Sequence, residues 1–232
     1  IGLPFLPTYN DFQVLTRSKI NRHNELSFIG IGAIDEFTLN TGPEPTEKNR
    51  YILSYLPVFE QWNYTIGASY KHFFAQSYSL LSLSRSHLYN TIYKYRDNDE
   101  SSADKLISDY KSNEIENKMR FEYFANPGAW TFSTGAAAEY ATYTNATLAN
   151  VFRENEAEQI AYDSRLNLVK WGLYASASRR VFNERLALSG GLRIDAASYG
   201  PSMNNPLDQL SPRASASFSI LPSLLLNASV GR

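Results

Sequence analysis

LALSGGLRI at residues 186–194, continued by Asp195, decides how the rest of the chain is read. With the two-residue period of a strand, Leu186, Leu188, Gly190, Leu192 and Ile194 share one face, and Ala187, Ser189, Gly191, Arg193 and Asp195 share the other. One face is apolar; the other is small and charged. A soluble sandwich turns such an apolar face toward a core. A membrane barrel turns it toward lipid and lines its lumen with the polar one.

The same alternation spreads outward in both directions. Upstream, residues 165–180 set Val169, Trp171, Leu173, Ala175 and Ala177 against Lys170, Gly172, Tyr174, Ser176 and Ser178. Downstream, 212–220 set Ala214, Ala216, Phe218 and Ile220 against Arg213, Ser215, Ser217 and Ser219, and 224–230 close the chain in the same style. Farther back, 130–144, 116–124 and 61–74 alternate cleanly, with Met119, Phe121 and Tyr123 opposite Lys118, Arg120 and Glu122. Residues 78–95 form a long strand of open register, because the serines of SLLSLSRS fall on both sides of Leu81 and Leu83. Residues 25–39 are apolar on both sides and 9–19 alternate weakly. Ten antiparallel strands are predicted.

Connections separate sandwich from barrel. Short turns are predicted at 21–24, 75–77, 125–129, 181–185 and 221–223. Long loops are predicted at 40–57, 96–113, 148–163 and 199–210, the third carrying Glu154, Glu156 and Glu158 with room for a short helix. Strict alternation of short and long is what an outer-membrane barrel shows, with short turns on one side and long loops outside. Aromatic residues near two short turns, Phe73, Phe74 and Tyr78, then Tyr123, Phe124 and Trp130, suit an interfacial girdle. Lys118, Arg120, Glu122, Glu139, Lys170, Arg193 and Asp195 all fall opposite the apolar face, where a wet lumen tolerates them.

Composition narrows the functional classes. The 232 residues carry a formal net charge of -1, which gives no general basis for binding nucleic acid. The absence of cysteine removes disulfides, thiolate metal sites and thiol nucleophiles. No window of eighteen apolar residues exists, so a membrane-spanning helix is not expected. The opening IGLPFLPTYNDF lacks signal-peptide features, leaving a cytosolic chain or one whose beginning is missing. Gly30 and Gly32 lack the third glycine of a dinucleotide fingerprint and read as curvature-easing residues. His23, His72 and His87 have no metal-site spacing, and Asp97, Asp99 and Glu100 lack the calcium-loop pattern.

Several phrases, LSFIGIGAIDEFTLN at 26–40, LPVFEQWNYTIGASYKHFF at 56–74, IYKYRDND at 92–99 and LSPRASASFSILPSLLLNASVGR at 210–232, resemble the barrel of TonB-dependent receptors from the Bacteroidetes outer membrane. The resemblance implies a 22-stranded barrel in the bacterial outer membrane, filled by an N-terminal plug domain, that imports a scarce ligand with energy delivered through TonB. Nothing in 1–232 resembles a plug or a TonB-contact segment, and the closing SVGR lacks a terminal aromatic strand signal. The expectation is therefore an all-β chain forming part of a barrel domain over residues 1–232, about ten strands of the larger barrel.

The implied partners are the TonB complex through a plug, a small-molecule, glycan or peptide ligand, outer-membrane lipid and a surface lipoprotein. No cofactor, metal or catalytic group is expected. Loops 96–113 and 148–163 are the expected ligand-facing loops. Arg96, Asp97 and Asp99 are loop candidates, and Lys170, Tyr174, Arg193 and Asp195 are lumen candidates. Two other readings compete: a small complete barrel acting as a protease or phospholipase, in which His72 or His87 would be essential, and a structural or adhesive barrel.

Overall fold

The computed structural model describes residues 3–42, 46–153 and 156–232, except for the side chains of 152, 153, 156 and 157. Ten strands follow one another: β1 (Phe5–Lys19), β2 (Asn24–Leu39), β3 (Val58–Phe73), β4 (Ser77–Tyr95), β5 (Leu106–Ala125), β6 (Trp130–Arg153), β7 (Glu156–Val181), β8 (Leu186–Ala197), β9 (Ser211–Leu221) and β10 (Leu224–Gly231). Each pairs antiparallel with the next in a single sheet, with β1 and β10 at its edges. Strands as long as the 26 residues of β7 far exceed the usual soluble length.

Pairing carries the two-residue period across the whole sheet. Leu26, Tyr70, Leu81, Phe121, Ala136, Leu173 and Ile194 form one row over seven strands, all on the apolar face. Three residues along each strand, Ser84, Lys118, Glu139 and Lys170 form a row on the polar face. The register of β4 is thereby settled, with Leu81 and Leu83 on the apolar side and Leu80 and Leu88 on the polar one.

Burial is inverted relative to a soluble protein. Among the described residues, the buried apolar side chains are Leu53, Val58, Ala141, Leu168 and Ala196, while Leu83, Met119 and Leu173 are each 50% exposed. A soluble sheet would cover such a face with a second layer. Here nothing covers it, so its natural solvent is hydrocarbon.

Three connections depart from the sequence reading. Residues 40–57 contain a helix, α1 (Glu47–Tyr55), capped where Asn49 N donates to Thr46 Oγ1 at 3.2 Å. The predicted loop 96–113 shrinks, because β5 already begins at Leu106 and Ser108–Asn113 pair with β4. In the predicted loop 148–163 the described residues, 148–153 and 156–163, are paired strand with no helix among them, the ladder running from Leu148↔Ala161 out to Arg153↔Glu156. The physical reason is common to the last two: beyond the bilayer both faces meet water, so the apolar period disappears while the backbone ladder continues. Glu154 and the side chain of Glu156 lie outside the described residues, and Glu158 is exposed. In 199–210 the chain forms a single short helix, α2 (Pro201–Asn204).

The aromatic girdle is also corrected. Phe73, Tyr78 and Phe124 share a row on the polar face, Tyr78 stacking on Phe124 at 5.3 Å with Lys71 Nζ 3.8 Å from the Tyr78 ring. Tyr123, Trp130 and Phe132 are on the apolar face, and Phe74 joins them beside Tyr123 at 6.3 Å. Adjacent residues in a strand point to opposite faces, so a cluster in sequence cannot all reach one interface. A second apolar-face belt of Trp62, Tyr64, Tyr89 and Tyr140 stands toward the opposite ends of the strands.

Candidate functional site

Opposite the apolar rows, β5 to β8 carry a belt of charge. β5 sets Glu116, Lys118, Arg120 and Glu122 at every second residue, so all four project from one face. Lys118 pairs with Glu116 at 2.5 Å, and Tyr143 Oη donates to the same carboxylate at 2.8 Å. Lys170 Nζ donates to Glu139 at 2.7 Å, with Lys118 3.9 Å from its second oxygen. Arg120 and the Tyr174 hydroxyl both donate to Glu122, each at 2.7 Å. Arg193 grips Asp195 with two bonds of 2.6 and 2.8 Å, the forked geometry that guanidinium and carboxylate favour.

Two glycines make room for this arrangement. A Cβ on Gly135 would lie 2.5 Å from the Tyr174 ring, and one on Gly172 would overlap the Asp195 carboxylate. Bare backbone at Gly135 lets the Tyr174 ring lie across β6 and reach Glu122 on β5. Gly172 likewise lets Asp195 lean over β7.

All four lumen candidates therefore lie on one wall, with Tyr174 directly opposite Arg193 and Gly172 opposite Asp195. Lys118, Arg120, Lys170 and Arg193 balance Glu116, Glu122, Glu139 and Asp195. Arg213 on β9 stands apart: it lies on the same face opposite Gly191 and has no ion-pair partner among the described residues. It borders a groove of ≈ 780 Å³ together with Arg120, Tyr174, Arg193 and the serines Ser176, Ser178 and Ser189. Alternation put Arg213 on the polar face, but whether a cation is paired depends on cross-strand register.

The loop candidates form a separate cluster at the end of β4. Arg96–Asn98 make a single tight turn in which Asp97 (φ 54) and Asn98 (φ 58) are left-handed, a conformation that Asp and Asn tolerate. Asp99 accepts from the Lys105 ammonium and from Ser101 N at 2.9 Å, and these bonds, the lysine's first, hold its carboxyl well below the usual carboxylate range. Nearby Lys94, which sequence reasoning passed over, donates to the carbonyls of Leu53 at 2.6 Å and Leu56 at 2.8 Å. It thereby ties the C-terminal end of α1 to the strand wall. Among the described residues no hydrogen bond or ion pair joins this cluster to the charged belt.

The histidines do not converge on a reactive group. His72 pairs with Ser79 and His87 with Tyr64, far apart along the β3–β4 ladder, and both project from the apolar face. Among the described residues, no group of three His, Cys, Asp or Glu side chains could hold a metal ion.

Comparison with known proteins gives a family match over almost the entire chain. The family model described as TonB dependent receptor-like, beta-barrel matches residues 8–232. No curated protein matches the chain in sequence. Among solved structures, the chain is similar to the copper transporter OprC (TM-score 0.69, 12% identity, covering 99% of this chain and 37% of that one). It is similar to a mutant of the ferric enterobactin receptor PfeA from Pseudomonas aeruginosa (0.68, 13%, 97% and 33%). A third likeness is BauA, the ferric preacinetobactin receptor from Acinetobacter baumannii (0.62, 10%, 97% and 40%). At such identities the likeness is one of fold. The chain spans between a third and two fifths of the length of these structures.

Proposed function

The chain belongs to the TonB-dependent receptor-like β-barrel family, and on that premise we propose that its ten strands are part of the wall of a receptor that imports a scarce ligand with energy delivered through TonB. Barrels of this family lie in the bacterial outer membrane and serve transport, not catalysis. The observation that carries the reading is the charged belt of β5 to β8, set on the face opposite a continuous apolar surface. A lumen wall needs this chemistry, since water and a polar solute must be accommodated where lipid is excluded.

The sheet has unpaired edges at β1 and β10, and lipid does not accept exposed backbone hydrogen-bonding groups. In this reading further strands close the barrel, and a plug transmits the energy. The groove bordered by Arg120, Arg193 and Arg213 offers guanidinium and hydroxyl donors, which suit an oxygen-rich anionic ligand. Two of the similar structures are receptors for ferric preacinetobactin and ferric enterobactin, which makes a metal chelate the first ligand class to try. The wording of 26–40, 56–74, 92–99 and 210–232 further suggests the Bacteroidetes type, in which a surface lipoprotein is a candidate partner.

The test is binding and uptake by the full-length native protein, using labelled ferric citrate, a ferric catecholate, cobalamin and a neutral oligosaccharide as probes. An anionic chelate is expected to bind, uptake is expected to stop when TonB is removed, and Arg213→Gln is expected to weaken binding about tenfold. Uptake that continues without TonB contradicts the proposal. So does preference for the neutral sugar with no effect of Arg213→Gln.

A further inference from the structure

A charged side chain, Arg85, lies on the face opposite the belt. Arg85 belongs to the row Ile66, Arg85, Asn117, Tyr140 and Val169, on the side that carries Leu81 and Leu83. Its Nε donates to Tyr64 Oη at 3.1 Å and its Nη1 to Asn117 Oδ1 at 2.9 Å. Both partners are neutral, and among the described residues no carboxylate pairs with the guanidinium. Its Nη2 remains available.

Height explains how lipid tolerates this charge. Arg85 stands nine residues beyond Gln76 in the short turn, roughly 23 Å up a strand tilted by about 40°. That is near the far edge of an apolar band about 25 Å tall, where an arginine is far less unfavourable than at the midplane. Directly below it the surface is hollowed. Ala68 and Ala138 are small where Ile66, Leu83, Met119 and Val169 stand around them, leaving an apolar groove of ≈ 580 Å³ bordered above by Arg85 and Asn117.

We propose that this groove binds a phosphate-bearing lipid of the outer leaflet, one acyl chain lying over Ala68 and Ala138 and the phosphate held by Arg85. The occupant follows from the two chemistries that the site joins. The hollow faces hydrocarbon and offers only apolar contact, which a soluble anion cannot use. The guanidinium at its upper end is uncompensated, and its planar fork matches phosphate oxygens. Tyr64 and Asn117 hold the guanidinium in place, so little side-chain freedom is lost on binding. This goes beyond import, because the site lies on the outer wall.

The experiment uses the full-length native protein, delipidated in detergent and placed in phosphatidylcholine nanodiscs. The added probe is bis-phosphorylated lipid A or the same lipid with its phosphates removed, and native mass spectrometry counts the lipid retained. Wild type is expected to retain the phosphorylated lipid at least about tenfold better, and Arg85→Leu to lose that preference. Ala138→Trp, which fills the groove and leaves the charge, is expected to lower retention to a similar extent. An unchanged heat-dependent gel shift identifies variants with an intact barrel, and Arg85→Gln replaces Arg85→Leu if the latter fails to insert. Equal retention of both lipids by wild type overturns the proposal, as does wild-type retention by both variants or displacement by inorganic phosphate alone. Ligand uptake is read in the same variants and is expected to be unchanged, so failure here is distinct from failure of the import reading.

Discussion

The two faces of β5 to β7 are built on the same backbone ladder and obey opposite rules. On one, Phe121, Met119, Leu173 and Trp171 stand exposed, and polar atoms are confined to the edges of the band. On the other, nearly every charge touches its opposite, from Glu116 and Lys118 through Glu139 and Lys170 to Arg193 and Asp195. One wall adapted to two solvents is the simplest physical account. The contrast fades at β1 and β2, where Leu15, Ile29 and Ile31 are exposed on the polar side as well.

The most damaging way to break the contrast is to put a charge on the apolar face. Leu81→Arg, near the middle of the band, is expected to destabilise the barrel by about 2–4 kcal/mol in a bilayer, whereas Ser133→Arg on the lumen side is expected to change it by under about 1 kcal/mol. Denaturant unfolding in lipid vesicles reads the difference. Equal effects would mean that the two faces meet the same solvent.

Next in size is the tie between wall and rim. Lys94→Met removes the donor that holds the carbonyls of Leu53 and Leu56, and is expected to loosen α1 by about 1.5–3 kcal/mol. Hydrogen exchange should quicken in 47–55 while the amides of β4 and β5 stay protected. If the whole barrel loosened together, Lys94 would belong to the wall and not to a separately docked helix.

The belt itself is expected to contribute modestly, because its members are half-exposed. Lys170 and Glu139 are 41% and 20% exposed at the side chain, so a double-mutant cycle of Glu139→Gln with Lys170→Met should give a coupling of about 0.2–1 kcal/mol. A coupling of several kcal/mol would imply a dry lumen.

Smallest is a pH effect at the rim. The Asp99 carboxyl sits below its unfolded value, so its contribution is present above that value and is lost as pH falls through the folded one. Hydrogen exchange of 96–105, corrected for intrinsic rate, is expected to rise as pH drops below about 4. Asp99→Asn should exchange quickly at every pH, without that step.

What could be read from the chain follows where lipid imposes a period. Strand number, the apolar faces of β3 and β5 to β9, and the charged set on the polar face are all legible, because lipid requires every second residue to be apolar. Outside the bilayer that requirement lapses, so Leu106–Asn113 and 148–163 look like loops although they extend the ladder. In β4 the serines fell on both sides of the leucines, and only pairing with β3 and β5 revealed the face of Arg85. The space that Gly135 yields to Tyr174 depends on cross-strand register and on a ring orientation that no local pattern encodes.

A cysteine scan of β7 in the membrane tests the two-solvent wall most directly: residues 1–232 contain no cysteine, and any cysteine elsewhere in the full-length protein is first replaced by serine. Single cysteines placed from Val169 to Ser176 in the full-length native protein would be exposed to a water-soluble maleimide and, separately, to a lipid-borne quencher of an attached fluorophore. Lys170→Cys, Tyr174→Cys and Ser176→Cys are expected to react with the maleimide. Val169→Cys, Trp171→Cys, Leu173→Cys and Ala175→Cys are expected to resist it and to be quenched by lipid. Uniform labelling along the strand, or the opposite alternation, would contradict the assignment of these faces to lipid and lumen.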